Sequence, residues 1–195
     1  MKRVERVYCE ILENIIQDKK HTFTQKQLSK DCQVSIGIVN YALKPLEQMG
    51  IIEKKQRSFL VINPKKLLLY WSSIRNLKNE IIYSIYSNKS IRAIEHMMPP
   101  CVFTAYSAYK FRFNDAPADY GEIYAYCNPN EIKKRFQPNK KTLSPNIFIL
   151  RPDPYIEKRS KKSIAPTSLI YADLWNLNTW YANEFIKELE KKLEL

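Results

Sequence analysis

The chain has 195 residues, 45% of them hydrophobic and 12% aromatic, and a formal net charge of +12. Length and composition predict one ordinary domain plus a small one in a soluble, cytoplasmic protein, with no secretory signal and no bilayer-spanning run. The positive charge favours a polyanionic or acidic partner, although solvated lysines on an ordinary surface would give the same total.

The basic excess is spread along the chain. Residues 1–62 contain 11 Lys/Arg against 7 Asp/Glu, a net of +4, and the remaining residues contain 21 against 13, a net of +8. Four cysteines without C-x-x-C spacing and two distant histidines predict free thiols, no metal site and no other cofactor. With only three glycines, no phosphate-binding or dinucleotide-binding fingerprint can be written, and the sequence predicts a protein that is not an enzyme.

The first two predicted elements are helices. Apolar residues at three- and four-residue steps predict a helix over residues 4–17. Thr24 is a good N-cap for a short second helix that runs to Asp31, because its hydroxyl can accept a hydrogen bond from a free amide of the first turn.

A third helix and a hairpin follow. Ser35 caps a helix over residues 36–49, whose predicted apolar stripe begins at Ile36. Gly50 supplies a left-handed stop, and Pro45 predicts a bend, because proline removes one hydrogen bond from a helix interior. Residues 51–62 then form two strand-like arms around a basic tip.

This order of elements predicts a winged helix-turn-helix, a DNA-reading module, over residues 1–63. A reading helix needs small or polar side chains at its N-terminal end, and basic residues at a hairpin tip suit phosphates. Taken singly, each such residue is an ordinary exposed polar side chain, and a module that binds only proteins is the alternative. The predicted DNA-binding residues are Lys26, Gln27, Ser35, Gly37, Asn40, Tyr41, Lys44, Lys54, Lys55 and Arg57.

The rest of the chain predicts a connecting helix and a second domain. Asn63 and Pro64 start a helix over residues 64–77, whose apolar stripe suits either packing between domains or a dimer seam. Residues 78–195 alternate short strands and helices, so the predicted fold class is α+β. Strands are predicted at 80–86, 122–127, 146–150 and 168–172, helices at 90–98, 103–111, 130–136 and from 178, and an exposed loop or edge hairpin at 151–163.

Two rival functions concern residues 78–195. A nucleotidyltransferase-like enzyme would need closely spaced aspartates for magnesium, which Asp115, Asp119, Asp153 and Asp173 do not supply. A surface that stacks single-stranded nucleic acid would use aromatic rings beside basic residues. The tyrosines available for it are Tyr83, Tyr86, Tyr106, Tyr109, Tyr120, Tyr124 and Tyr126.

Several segments resemble a known family. VSIGIVNYALKPLEQMGIIEKKQRSFLVINP is similar to winged-helix regulators, and FTAYSAYKF, EIYAYCNP, NIFILRP and YADLW resemble the AbiE antitoxin family of type IV toxin–antitoxin systems. The resemblance implies an autoregulating repressor that binds inverted repeats in its own promoter. It also implies that the C-terminal domain opposes a nucleotidyltransferase-like toxin without forming a stable complex. The expected partners are promoter or operator double-stranded DNA, such a toxin and a second copy of the chain, with no membrane.

Overall fold

The computed structural model describes residues 1–137 and 144–193. The chain divides into two compact units, the first comprising Met1–Arg75 with the residues from Glu190 on, the second comprising Asn76–Leu189. Both contain helices and each contains a sheet, so the fold is mixed α+β, as the sequence predicts. Among the described helices, none has the length and apolar character needed to cross a bilayer.

Apart from the residues from Glu190 on, which end the C-terminal helix, the first unit contains four helices and a small antiparallel sheet of strand order β1-β3-β2. The two short helices, the turn and the hairpin occur in the predicted order. The two-residue strand β1 was not predicted; its Phe23 pairs with Phe59, and their rings stack with centroids 5.8 Å apart. The elements are α1 (Arg3–Asp18), β1 (Thr22–Phe23), α2 (Gln25–Cys32), α3 (Ile36–Gln48), β2 (Ile52–Lys54), β3 (Phe59–Val61) and α4 (Pro64–Ile74).

The helix ends in this unit follow the predicted signals. Thr24 Oγ1 accepts a hydrogen bond from the Gln27 amide at 3.2 Å, and Ser35 Oγ accepts one from the Ile38 amide at 3.3 Å. Gly50, just after α3, has φ +63°, the left-handed conformation that glycine adopts without steric cost.

The third helix is continuous through Pro45 and ends at Gln48. Its buried stripe consists of Val39, Ala42, Leu43 and Leu46. The prediction that Ile36 belongs to this stripe is wrong: its side chain is 48% exposed, so the packed face begins one turn later.

The helix α4 lies within the first unit, where it packs against α1. Three residues of its predicted apolar stripe, Leu67, Leu68 and Trp71, are buried there. The residue that follows α4, Arg75, forms a buried ion pair with Glu5 of α1, with 2.5 Å between Nη1 and Oε2. The stripe is therefore largely used in packing inside this unit.

The second unit is built on a four-stranded sheet of order β4-β7-β6-β5. Strands β6 and β7 are parallel, and the other two pairs are antiparallel. Its elements are a short 3-10 helix (Leu77–Glu80), β4 (Ile81–Ile85), α5 (Ile91–Met97), β5 (Val102–Thr104), α6 (Ala105–Phe113), β6 (Ile123–Tyr126), α7 (Pro129–Arg135), β7 (Ile147–Leu150), α8 (Pro154–Arg159), α9 (Thr167–Trp175) and α10 (Trp180–Leu193).

Three predictions for this unit are wrong. The strand predicted at 168–172 lies in α9, which is buried on all sides from Thr167 to Leu174 and so shows no alternation of polarity. The loop predicted at 151–163 contains the helix α8, which Asp153 caps. The helix predicted at 103–111 begins only at Ala105, because Phe103 and Thr104 still belong to β5.

Candidate nucleic-acid interface

All ten predicted DNA-binding residues are exposed in the first unit. At 100° per residue, the buried stripe of α3 leaves the opposite half of the helix to solvent. That half presents Gly37, Asn40, Tyr41 and Lys44, and the Tyr41 side chain is 72% exposed. The residues expected to contact bases therefore share one solvent-facing surface, which we call the α3 face.

A basic groove runs along one side of the α3 face, between α2, α3 and the hairpin. Its volume is about 330 Å³, and Ile36 lies in its wall at the start of α3. It brings Lys26 of α2 together with Lys55 and Arg57 of the hairpin, residues about thirty positions apart in the sequence. We call this the basic groove.

The hairpin that forms one wall of the basic groove is tightly closed. The Lys55 amide donates a hydrogen bond to the Ser58 carbonyl at 2.8 Å, which leaves Gln56 and Arg57 as the two turn residues. The side chains of Lys55, Gln56 and Arg57 are exposed at this tip. A short turn holds the basic tip in one place beside α3, which suits contact with a phosphate backbone.

A second cavity, of about 380 Å³, lies on the other side of the α3 face. Tyr41 and Lys44 line it together with Tyr8 of α1 and Tyr70 of α4. The Tyr8 hydroxyl donates a hydrogen bond to the Ala42 carbonyl of α3 at 3.1 Å. The α3 face is therefore a ridge between two depressions, a shape that can enter a groove of a duplex.

Two of the predicted residues are already engaged by carboxylates. The Lys54 ammonium lies 2.5 Å from Glu47 Oε2, and the Gln27 amide nitrogen donates to both carboxylate oxygens of Asp31 at 2.7 and 2.8 Å. The charge of Lys54 is thus partly offset, and the donors of Gln27 are occupied. Within the groove, Lys26, Lys55 and Arg57 remain the cations best placed for phosphates.

The structure adds groove residues that the sequence did not single out. Thr24, Gln56 and Ser58 line the basic groove with hydrogen-bonding side chains, beside the cations. The position of Gln56 between Lys55 and Arg57 in the sequence was a usable signal for its place at the tip. The contribution of Thr24 could be found only from the fold, because it depends on how α2 meets the hairpin.

The rival interpretation of a stacking surface in the second unit loses four of its seven tyrosines to burial. Tyr106 and Tyr109 are fully buried, and Tyr124 and Tyr126 are nearly so. Their rings pack into a core, where Tyr106 contacts Phe185 with centroids 5.1 Å apart. Buried rings cannot stack on nucleobases, so these tyrosines are structural.

The buried aspartates of the second unit also have structural contacts. Asp153 accepts a hydrogen bond from the Tyr155 amide at 2.9 Å at the start of α8. Asp173 accepts hydrogen bonds from Thr104 Oγ1 at 2.6 Å and from the Tyr126 hydroxyl at 3.1 Å. Over residues 1–137 and 144–193, no three His, Cys, Asp or Glu side chains converge as metal ligands would.

A protein-family model matches the N-terminal part of the chain. The family model described as "Firmicute plasmid replication protein (RepL)" matches residues 2–88, which include all ten predicted DNA-binding residues. No curated protein and no solved structure matched the chain. The N-terminal part of the chain is therefore similar to that replication protein family, and the AbiE resemblance gains no support from the match.

Proposed function

We propose that the chain is a double-stranded-DNA-binding regulator whose residues 1–63 form a winged helix-turn-helix. In this proposal α3 enters the major groove and the hairpin tip lies against the neighbouring phosphate backbone. The observation that carries the proposal is the α3 face, polar and exposed, next to the basic groove that gathers Lys26, Lys55 and Arg57.

The side chains of the α3 face, and Ser35 just before it, suit several kinds of contact. The Asn40 amide can form two hydrogen bonds with adenine, and Gly37, which has no Cβ, lets the helix approach the bases closely. Lys44 suits guanine or a phosphate. Ser35 and Tyr41 suit phosphates or water-mediated base contacts. The cations of the basic groove supply affinity that does not depend on sequence.

Two kinds of DNA target follow from two observations. The AbiE resemblance supports an operator in the chain's own promoter, with the chain as an antitoxin-like repressor that opposes a toxin and binds repeats as two copies. The family match to a plasmid replication protein supports a replication origin as the second candidate target. Both targets require the same interface, so the α3 face is common to them.

The test is duplex binding measured across salt concentrations, with DNA from the chain's own promoter, from a plasmid origin, and of random sequence. We expect tighter binding to one of the two native sequences, with affinity falling as salt rises. Equal affinity for all three duplexes would refute sequence-specific recognition. Absence of binding to any duplex would favour the alternative, a module that binds only proteins.

Variants separate base contacts from phosphate contacts. Asn40→Ala should cost about 1–3 kcal/mol on the preferred duplex and leave random duplex unchanged. Lys55→Ala should weaken binding to every duplex and reduce the slope of log affinity against log salt by about 0.9. Lys187→Ala is the matched control, since this lysine is exposed in α10 and pairs with Glu184.

A further inference from the structure

Two cysteines of the second unit lie opposite each other at the ends of neighbouring strands. The antiparallel register of β5 and β6 pairs Val102 with Tyr126 and Phe103 with Ala125. Cys101 immediately precedes Val102, and Cys127 immediately follows Tyr126. One further step in the same register therefore sets Cys101 against Cys127, with both side chains on one face of the pair.

The hydrogen bonds of Phe103 show whether Cys101 and Cys127 form a hydrogen-bonded or a non-hydrogen-bonded pair of the ladder. The Phe103 amide donates to the Ser163 carbonyl at 2.8 Å, and the Phe103 carbonyl accepts from the Ala165 amide at 2.9 Å. Since both groups point away from β6, Phe103 and Ala125 form a non-hydrogen-bonded pair, and the alternation of pair types makes Cys101 and Cys127 another.

Non-hydrogen-bonded pairs are the closer kind in an antiparallel ladder. Their Cα atoms lie about 4.5 Å apart, and disulfides form between Cα atoms about 4.4–6.8 Å apart. Cys101 and Cys127 are therefore close enough to be joined with little movement of the strands.

A cavity beside the two thiols gives small molecules access to them, but the burial of the thiols slows thiol–disulfide exchange. Both line a cavity of about 560 Å³ whose wall also includes Pro100 and Pro152, and both are free thiols in the structure. Burial raises the pKa of the Cys101 thiol to about 12, and the neighbouring Cys127 adds to this effect. Burial likewise raises the pKa of the Cys127 thiol, and Glu131 acts in the same direction, while Arg135 lowers the pKa of both thiols. Little thiolate forms at neutral pH, so thiol–disulfide exchange is slow there.

We propose that Cys101 and Cys127 are a redox pair that a low-molecular-weight disulfide oxidises to an intramolecular disulfide. One cysteine thiolate attacks the small disulfide, which forms a mixed disulfide and releases one small thiol. The other cysteine then attacks the protein sulfur of the mixed disulfide and releases the second small thiol. Two protein thiols are oxidised with loss of two electrons and two protons, and one small disulfide is reduced to two thiols.

The test is oxidation of the full folded chain by oxidised glutathione at pH 9, then alkylation of the remaining thiols and digestion without reduction. We expect a peptide pair joined through Cys101 and Cys127, lighter by two hydrogen atoms than the separate peptides. The rate of its formation should rise about tenfold for each pH unit between pH 7 and pH 9, following the thiolate fraction.

Single variants distinguish the internal link from simple labelling of each thiol. In Cys101→Ser, Cys127 should retain glutathione as a mixed disulfide, and Cys127→Ser should do the same for Cys101, because no resolving thiol remains. If both cysteines of the folded unsubstituted chain end as mixed disulfides or stay unmodified, the proposed pair is refuted. Peptide mapping reads Cys9 and Cys32 separately, so their oxidation does not affect the result.

Discussion

Glu47 and Lys54 form an ion pair between α3 and β2, with 2.5 Å between the carboxylate oxygen and the ammonium nitrogen. Both side chains are about half exposed, so the pair contributes only about 0–1 kcal/mol to stability. Its larger consequence is for the proposed DNA binding, because it lowers the positive charge that the hairpin offers to a polyanion next to its tip.

Breaking this pair should strengthen binding to any duplex. In Glu47→Gln, Lys54 is released for a phosphate contact, so the slope of log affinity against log salt should steepen by about 0.9. Lys54→Ala should change the slope less than Lys55→Ala, since the Lys54 charge is already offset. Fluorescence anisotropy with random duplex over a salt series measures both. An equal effect of Lys54→Ala and Lys55→Ala would show that the ion pair opens on DNA.

The buried ion pair between Glu5 and Arg75 should contribute strongly to the free energy of unfolding. Their side chains are 4% and 1% exposed, and Arg75→Met would leave the Glu5 carboxylate buried without this cation. We expect a loss of about 3–5 kcal/mol in the free energy of unfolding, measured by urea denaturation. Lys187→Gln, which breaks an exposed pair, should leave the urea midpoint unchanged. A similar midpoint for both variants would contradict the importance of the buried pair.

Two buried tyrosines should respond differently to loss of the hydroxyl. Tyr8→Phe removes the hydrogen bond to the Ala42 carbonyl and should cost about 1 kcal/mol. The Tyr109 hydroxyl is buried and has no hydrogen-bond partner in the described part of the chain, so Tyr109→Phe should be neutral or stabilising. Thermal and urea unfolding of the two variants side by side give the comparison. A loss of unfolding free energy in Tyr109→Phe as large as that in Tyr8→Phe would contradict the expected difference.

Alkaline pH should destabilise the second unit through Tyr109. Burial raises the pKa of Tyr109 to about 12, and Asp115 and Glu188 act in the same direction. The unfolded chain, with a tyrosine pKa of about 10, loses this proton first. The contribution of Tyr109 is therefore fully present below pH 10 and is lost as pH rises towards 12. Urea unfolding at several pH values should show that the free energy of unfolding declines less steeply with pH in Tyr109→Phe. A decline as steep as that of the unsubstituted chain would contradict the raised pKa of Tyr109.

Gly50, which follows helix α3, and Gly121, which precedes strand β6, should tolerate alanine differently. Gly50 has φ +63°, and a Cβ there meets no atom within 4 Å, so Gly50→Ala should cost about 1–2 kcal/mol through backbone strain alone. Gly121 has equally open surroundings without a left-handed φ. Gly121→Ala should be neutral or stabilise by about 0.4–1 kcal/mol. Equal free energies of unfolding for the two variants would rule out strain at Gly50.

The first unit could be predicted from the sequence because single residues with one physical role mark its element ends. Thr24 and Ser35 accept the first-turn amides, and Gly50 takes the left-handed turn, as each residue type predicts. The exposure of the α3 face followed from helical periodicity. The pairing of Lys54 with Glu47 could not be predicted, because it depends on where the chain returns after the turn at Gly50.

The second unit was harder because its burial removes the usual signals. The helix α9 is buried on every side, so its short, mainly apolar run predicted a strand equally well. The signal for α8 was present but missed: Asp153 before Pro154 is the same cap-and-proline start that predicted α4 at Asn63 and Pro64. The facing of Cys101 and Cys127 needed the strand register, which no local pattern reveals.

The proline inside α3 has a mechanical consequence for the helix. Pro45 has no amide hydrogen, so it cannot donate the usual helical hydrogen bond to the Tyr41 carbonyl. The turns that present Gly37 and Asn40 are thus joined to the end of the helix by one hydrogen bond fewer than elsewhere. Leu46 anchors that end in the core. The helix is therefore most compliant between its exposed start and its anchored end, and a small bend there would let Asn40 follow the curvature of a groove while the core stays in place.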